Sequence, residues 1–126
     1  MARNLSLQVI SKLAPAELRK LSERDFQDAV LAYAQAQGWK CHWMRRNAMV
    51  NQKGEWHPLG SAGFPDVFAI RRNCLVALEL KSERGVATHE QMEWLGAIER
   101  LNATRGVAHV MVAKPRDASE VMRLLE

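Results

Sequence analysis

GFPDVFAIRRNCLVALELKSERG (residues 63–85) reads as two apolar segments, VFAIR and CLVALELK, joined by a short polar turn at Arg72-Asn73. Both are rich in β-branched residues, the composition of paired strands. Side chains alternate faces along a strand, so Leu75, Ala77, Glu79 and Lys81 share one face and Cys74, Val76, Leu78 and Leu80 the other. Both faces begin apolar, which predicts a central strand covered on both sides. The charges come only at its end. Pairing 71 with 74 across a tight turn places Asp66 opposite Glu79. Two carboxylates opposed on adjacent strands repel, which is destabilising unless something neutralises them.

Working outward, Ser22 to about Gln37 predicts a helix: Ser22 caps it, Asp25 lies in the first turn and Gly38 stops the run. Glu23, Phe26, Gln27, Val30, Leu31 and Ala34 fall on one face by i, i+3, i+4, i+7 spacing. Trp39 to Met44 reads as a short strand. From about Arg45 to Pro65 the chain is polar and shows no periodicity, which predicts a long loop. Thr88 begins a second helix that runs to about Asn102, with Gln91 placed for a capping box. Val107 to Val112 reads as another strand, and Asp117 caps a closing helix with Glu120 three residues on. The expected organisation is one α/β domain with a mixed sheet over residues 22–126, preceded by a lead-in at residues 1–21. The lead-in has scattered leucines and a helix start at Pro15. Its leucines fit either an arm on a second subunit or the core of this chain.

Bulk properties bound the possibilities. A chain of 126 residues builds one domain with a real core and is too short for two comfortable ones. No apolar run approaches the roughly 18 residues of a membrane span. Gln8, Ser11 and Lys12 interrupt any apolar stretch near the start, so no signal peptide is expected. Cys41 and Cys74 form no disulfide-scaffold pattern, which fits a reducing, cytoplasmic setting. Net charge is +4, and residues 40–72 carry Lys40, Arg45, Arg46, Lys53, Arg71 and Arg72 against only Glu55 and Asp66. A basic stretch beside an acidic pair suggests a polyanionic partner, with phosphate the obvious candidate. A solvated loop would carry the same charges.

A hard divalent cation would neutralise Asp66 and Glu79. Mg²⁺ takes oxygen ligands, commonly one or two carboxylates with water and a substrate phosphate. Lys81 faces the same site, placed to offset charge developing on a phosphate or to orient an attacking water. A structural Asp/Glu/Lys network at a strand end is the competing reading. Gln91 has two readings as well: the capping box, or a site residue on the helix face continued by Leu95 and Ile98. Glu23 is either a first-turn carboxylate favoured by the helix dipole or a charged residue turned toward the site.

The succession of Glu23, GFPD (63–66), ELK (79–81) and Gln91 resembles the VRR-NUC branch of the PD-(D/E)XK nucleases, particularly the small stand-alone proteins of phages and prophages. Its carriers are SERDFQDAVLAYAQAQGWKCHW (22–43), GFPDVFAI (63–70), VALELKSERGVATHEQMEWL (76–95) and VMVAKPRDASEVMRLL (110–125). The resemblance implies a restriction-endonuclease-like αβββαβ core with a mixed central sheet flanked by helices. It implies Mg²⁺ or Mn²⁺ held by Asp66, Glu79 and the backbone carbonyl of Leu80, with Glu23 supporting the metal or its water. Lys81 matches the catalytic lysine and Gln91 the helix glutamine. The implied activity is metal-dependent, structure-specific DNA cleavage of the Holliday-junction resolvase kind, leaving 5′-phosphate and 3′-hydroxyl ends, by a homodimer. Lys114 stands where relatives carry a basic residue before proline, and Arg45, Arg46 and Lys53, with His42, are further candidates for DNA contact.

Other classes remain in view. Cys41, His42, His57, Cys74 and His89 lack the paired spacing of a zinc site. Trp39, Trp43, Trp56 and Trp94 invite base stacking, but Trp39 and Trp94 fall where core roles are expected. A non-catalytic nucleic-acid-binding module would ordinarily have lost an acid or the lysine, and none is missing here. A nickase or flap nuclease keeps the chemistry and changes the substrate.

Overall fold

The computed structural model describes residues 5–44, 48–50, 56–58, 63–105 and 108–126. In chain order its elements are α1 (Leu7–Ile10), α2 (Pro15–Leu18), α3 (Glu23–Ala36), β1 (Lys40–Trp43), β2 (Ala48–Val50), β3 (Trp56–Pro58), β4 (Val67–Arg71), β5 (Cys74–Leu80), α4 (His89–Arg105), β6 (Ala108–Ala113), a 3₁₀ turn (Pro115–Asp117) and α5 (Ala118–Leu125). Four strands form a mixed sheet in the order β1-β4-β5-β6. β1, β4 and β5 are antiparallel neighbours, and β6 joins β5 in parallel. The protein is thus α/β, a four-stranded mixed sheet packed against helices.

The hairpin has the register its turn dictates. Arg71 pairs with Cys74 and Val67 with Leu78, so the next step along β4 brings Asp66 to the level of Glu79. Arg72 supplies the left-handed turn residue, at φ 56°. The alternation along β5 separates two cores. Val76, Leu78 and Leu80 face a cluster with Phe26, Val30 and Ala34 of α3, Val121 and Leu125 of α5, and Leu7 and Ile10 of α1. Ala77 faces a smaller cluster with Leu95 and Ile98 of α4 and Ala108 of β6. Burying one such large apolar side chain stabilises the fold by about 1.5–3 kcal/mol, so both faces of β5 are held firmly up to the point where its charges begin.

Helix α3 starts at Ser22, whose hydroxyl accepts the Asp25 N–H (3.0 Å), and stops at Gly38 with φ 88°. Several expectations need correction. The stretch 45–65 is not all loop: β2 and β3 pair antiparallel as a two-stranded ribbon, too short for alternation to show in sequence. Of the two readings of the lead-in, its leucines join this chain's own core: Leu7, Leu18 and Leu21, with Ile10, are buried, and Leu5 and Leu13 pack against them. Helix α4 runs three residues past Asn102. Asp117 occupies the N-cap position of α5 without bonding its amides; its carboxylate accepts the Lys114 N–H instead (2.9 Å).

Arg71 also departs from its expected place in a basic surface. Its guanidinium lies over the Trp39 ring, 4.5 Å from the centroid, and donates to the carbonyl oxygens of Gln37 (2.9 Å), Leu125 and Glu126. Trp39 itself is buried and donates Nε1–H to the Leu125 carbonyl at 2.8 Å. Together they tie α5 to the end of α3.

Candidate active site

The carboxyl ends of the parallel strands β5 and β6 open at the edge where β4 begins, and the charged residues of the hairpin gather there. Asp66 follows the buried Pro65, and its Oδ2 accepts the backbone N–H of Leu80 at 2.9 Å. That bond fixes the carboxylate across the strand pair. Its main chain is held from the other side: the Asp66 carbonyl accepts the Met44 N–H (2.8 Å), and the Met44 carbonyl accepts Gln27 Nε2 (3.0 Å). Gln27 is buried on α3, so α3 positions Asp66 through two hydrogen bonds. Sequence reasoning placed Gln27 on the buried face without giving it a task; an amide among apolar neighbours was the available signal.

Glu79 is completely buried. Its Oε1 accepts Gln91 Nε2 at 2.6 Å and lies 3.4 Å from Lys81 Nζ. Its Oε2 is buried and has no hydrogen-bond partner among the described residues. Burial, first, and the neighbouring Asp66 carboxylate, second, push the Glu79 pKa up from 4.5 to about 8, although Lys81 pulls it down. Lys81 is buried too, at 3% exposure, so its ammonium is held at the carboxylates rather than in solvent.

Gln91 makes a cap and a contact to Glu79 at once. Its Oε1 accepts the Thr88 N–H (2.7 Å) while the Thr88 hydroxyl accepts the Gln91 N–H (3.2 Å), a reciprocal cap at the start of α4. That leaves the amide nitrogen turned toward Glu79. Cap and site contact are made by opposite ends of one side chain. Gly63 explains why GFPD begins with glycine: at φ 85°, a Cβ on it would lie 2.6 Å from the Glu90 carbonyl carbon and 2.8 Å from the Gln91 nitrogen. The loop therefore rests directly on the backbone of α4 beside Gln91. Phe64 anchors the same loop, stacked on Phe68 (5.9 Å) and edge-on to Trp94 (5.1 Å). Trp94 is thus at the margin of the core, 36% exposed, rather than within it.

Asp66, Glu79, Lys81 and Gln91 are brought together; the other candidates vary. Glu23 is half-buried in the first turn of α3. Leu80 lies between Glu79 and Lys81 with its amide given to Asp66. Lys114 is half-buried just beyond β6 on the same edge, since the Lys81 N–H bonds the Ala113 carbonyl (2.9 Å). His42 is exposed on β1. Arg45, Arg46 and Lys53 lie outside the described residues.

The oxygen donors of this set are of the kind a hard cation prefers. Two carboxyl groups, one with an orphaned buried oxygen, face a single lysine. Among the described residues no three His, Cys, Asp or Glu side chains converge. Two carboxylate groups suit Mg²⁺ or Mn²⁺, which complete their coordination with water and do not need an all-protein cage. No family model, curated protein or solved structure matches the chain. Among the described residues no helix is long and apolar enough to cross a membrane.

Proposed function

We propose that the chain is a metal-dependent DNA endonuclease of the VRR-NUC type, built on a restriction-endonuclease-like αβββαβ core and acting on branched DNA as a homodimer. The observation that carries this reading is the buried, unpartnered Oε2 of Glu79 beside Asp66, with Lys81 3.4 Å from the other oxygen. A buried carboxyl oxygen without a partner is costly, and a hard cation taking the place of the Glu79 proton would supply that partner. Asp66 and Glu79 would hold Mg²⁺ or Mn²⁺, with the Leu80 carbonyl as a further ligand and Glu23 on its water side. The bound cation supplies Lewis-acid stabilisation of the scissile phosphate.

The chain's own residues do the rest. The Leu80 N–H holds Asp66, and Gln91 holds Glu79, each in one orientation. Such rigid support is what a preorganised site requires. Lys81, fixed and desolvated, offsets the negative charge that builds on the phosphate as water attacks. The attack is direct and needs no covalent enzyme intermediate. Lys114, with Arg45, Arg46 and Lys53, supplies positive charge to the flanking phosphates.

An end-labelled four-way junction and a matched linear duplex, each incubated with Mg²⁺ or Mn²⁺, test this directly. Wild type is expected to make symmetric cuts at the junction, lost in EDTA and in Asp66→Ala. Equal cutting of both DNAs would retain the nuclease and remove the junction preference. Binding without cutting in every metal would instead indicate a non-catalytic DNA-binding module.

A further inference from the structure

One charged pair at this edge has no part in the phosphodiester chemistry. Glu83 lies in the turn after β5, and its side chain is only 8% exposed. Its carboxylate accepts the Arg116 backbone N–H (3.0 Å) and Arg116 Nε (3.2 Å), while its carbonyl accepts Arg116 Nη2 (3.3 Å). An exposed ion pair between two long side chains usually contributes little. Here main chain and side chain of both partners are engaged, and the guanidinium is gripped along one edge. Arginine has five N–H donors, and the Arg116 side chain is 58% exposed, so its other edge faces solvent.

The mounting is rigid on both sides. Gly85 N–H bonds the Ser82 carbonyl (3.0 Å), closing the turn that carries Glu83. That turn folds onto the stem of Lys81: a Cβ on Gly85 would lie 3.1 Å from Lys81 Cβ and 3.2 Å from its Cδ. Opposite, Asp117 accepts the Lys114 N–H at 2.9 Å, and Lys81 N–H bonds the Ala113 carbonyl at 2.9 Å. Arg116 therefore stands at the same end of β5 and β6 as Asp66, Glu79 and Lys81.

On the nuclease reading, we propose that Arg116 binds a backbone phosphate of the DNA strand entering the site, and that Glu83 is a positioning residue acting through it. A guanidinium held by one edge presents its remaining donors in a fixed plane, the fork that matches a phosphate. Arg84, exposed on the same turn, offers charge without that orientation. The carboxylate also separates positioning from simple electrostatics. Losing an acid near a polyanion should tighten binding, whereas losing a support should weaken it.

Asp66→Asn serves as a non-cleaving parent, titrated against a fluorescein-labelled duplex by anisotropy across a salt series. Arg116→Ala in that background is expected to weaken binding about five- to tenfold and to lower the salt slope by about 0.9. Glu83→Gln is expected to weaken binding by about threefold or more, and to add nothing once Arg116 is gone. Unchanged affinity and slope in Arg116→Ala, or tighter binding in Glu83→Gln, would overturn the assignment. Should Glu83→Gln melt early, Arg116→Ala decides alone, since its side chain is exposed. A parent that binds no DNA at any salt overturns the nuclease reading together with this one. A parent that binds normally while Arg116→Ala does too overturns only this one.

Discussion

Replacing Glu79 by glutamine is expected to stabilise the metal-free protein above about pH 8 and abolish DNA cleavage. Glutamine keeps an oxygen for Gln91 and Lys81 and places an amide where Oε2 has no partner. Satisfying a buried orphan next to Asp66 is worth about 1–3 kcal/mol. The pH dependence follows from the raised pKa of Glu79, about 8 against 4.5 for an ordinary glutamate. Between those values the folded chain holds a proton that the unfolded chain releases. Its contribution to stability is full below pH 4.5 and is lost as pH rises through about 8. In EDTA, wild type should therefore melt at falling temperature from pH 6 to pH 9, with a flatter profile for Glu79→Gln. Cleavage should drop by at least about 10²–10³-fold, the range seen on removing one charge-stabilising group from a hydrolytic site. A variant less stable than wild type at pH 9 in EDTA would show that Glu79 is well paired and that the site stores no unmet charge.

Gly63→Ala is expected to be the most damaging glycine-to-alanine change among the described residues. The new Cβ would sit 2.6–2.8 Å from backbone atoms of Glu90 and Gln91, and the residue would be held at φ 85°, where side chains are strained. Neither obstacle is the tip of a flexible side chain, so the loop or α4 has to move. Strain and overpacking together predict a loss of about 2–4 kcal/mol. Because Gln91 sits at the collision, its bond to Glu79 should be lost and cleavage reduced even where the fold survives. Gly96→Ala is the control on the same helix: its Cβ would meet only the Arg100 guanidinium, at 3.9 Å. That change should be neutral or stabilising by up to about 1 kcal/mol. Equal melting temperatures for the two variants would remove the packing role given to Gly63.

These two residues show how much of the site could be read from the sequence. The Asp66–Glu79 opposition followed from turn length and strand alternation, both local rules, and the pairing of Val67 with Leu78 agrees with it. The two-sided burial of β5 was legible for the same reason, as were the caps at Ser22 and Thr88. What Gly63 touches was not legible, because Glu90 is 27 residues away in the chain and the contact depends on how the loop meets α4. Gln91 was read as either cap or site residue. Only the placement of α4 over the strand end shows that one amide serves both. Charge misled at Arg71, since composition cannot distinguish a surface cation from one laid over Trp39 and donating to carbonyls. The ribbon of β2 and β3 was missed because three-residue strands carry no period to detect.

The central claim is that Asp66 and Glu79 together seat a divalent cation. Calorimetric titration of Mn²⁺ into wild type, Asp66→Asn and Glu79→Gln, at pH 7 in buffers of different ionisation heat, tests it most directly. The account predicts one ion per chain for wild type, with release of the proton that Glu79 holds below pH 8, and no such site in either variant. Mn²⁺ binding that survives both substitutions, or no binding by wild type, would contradict it.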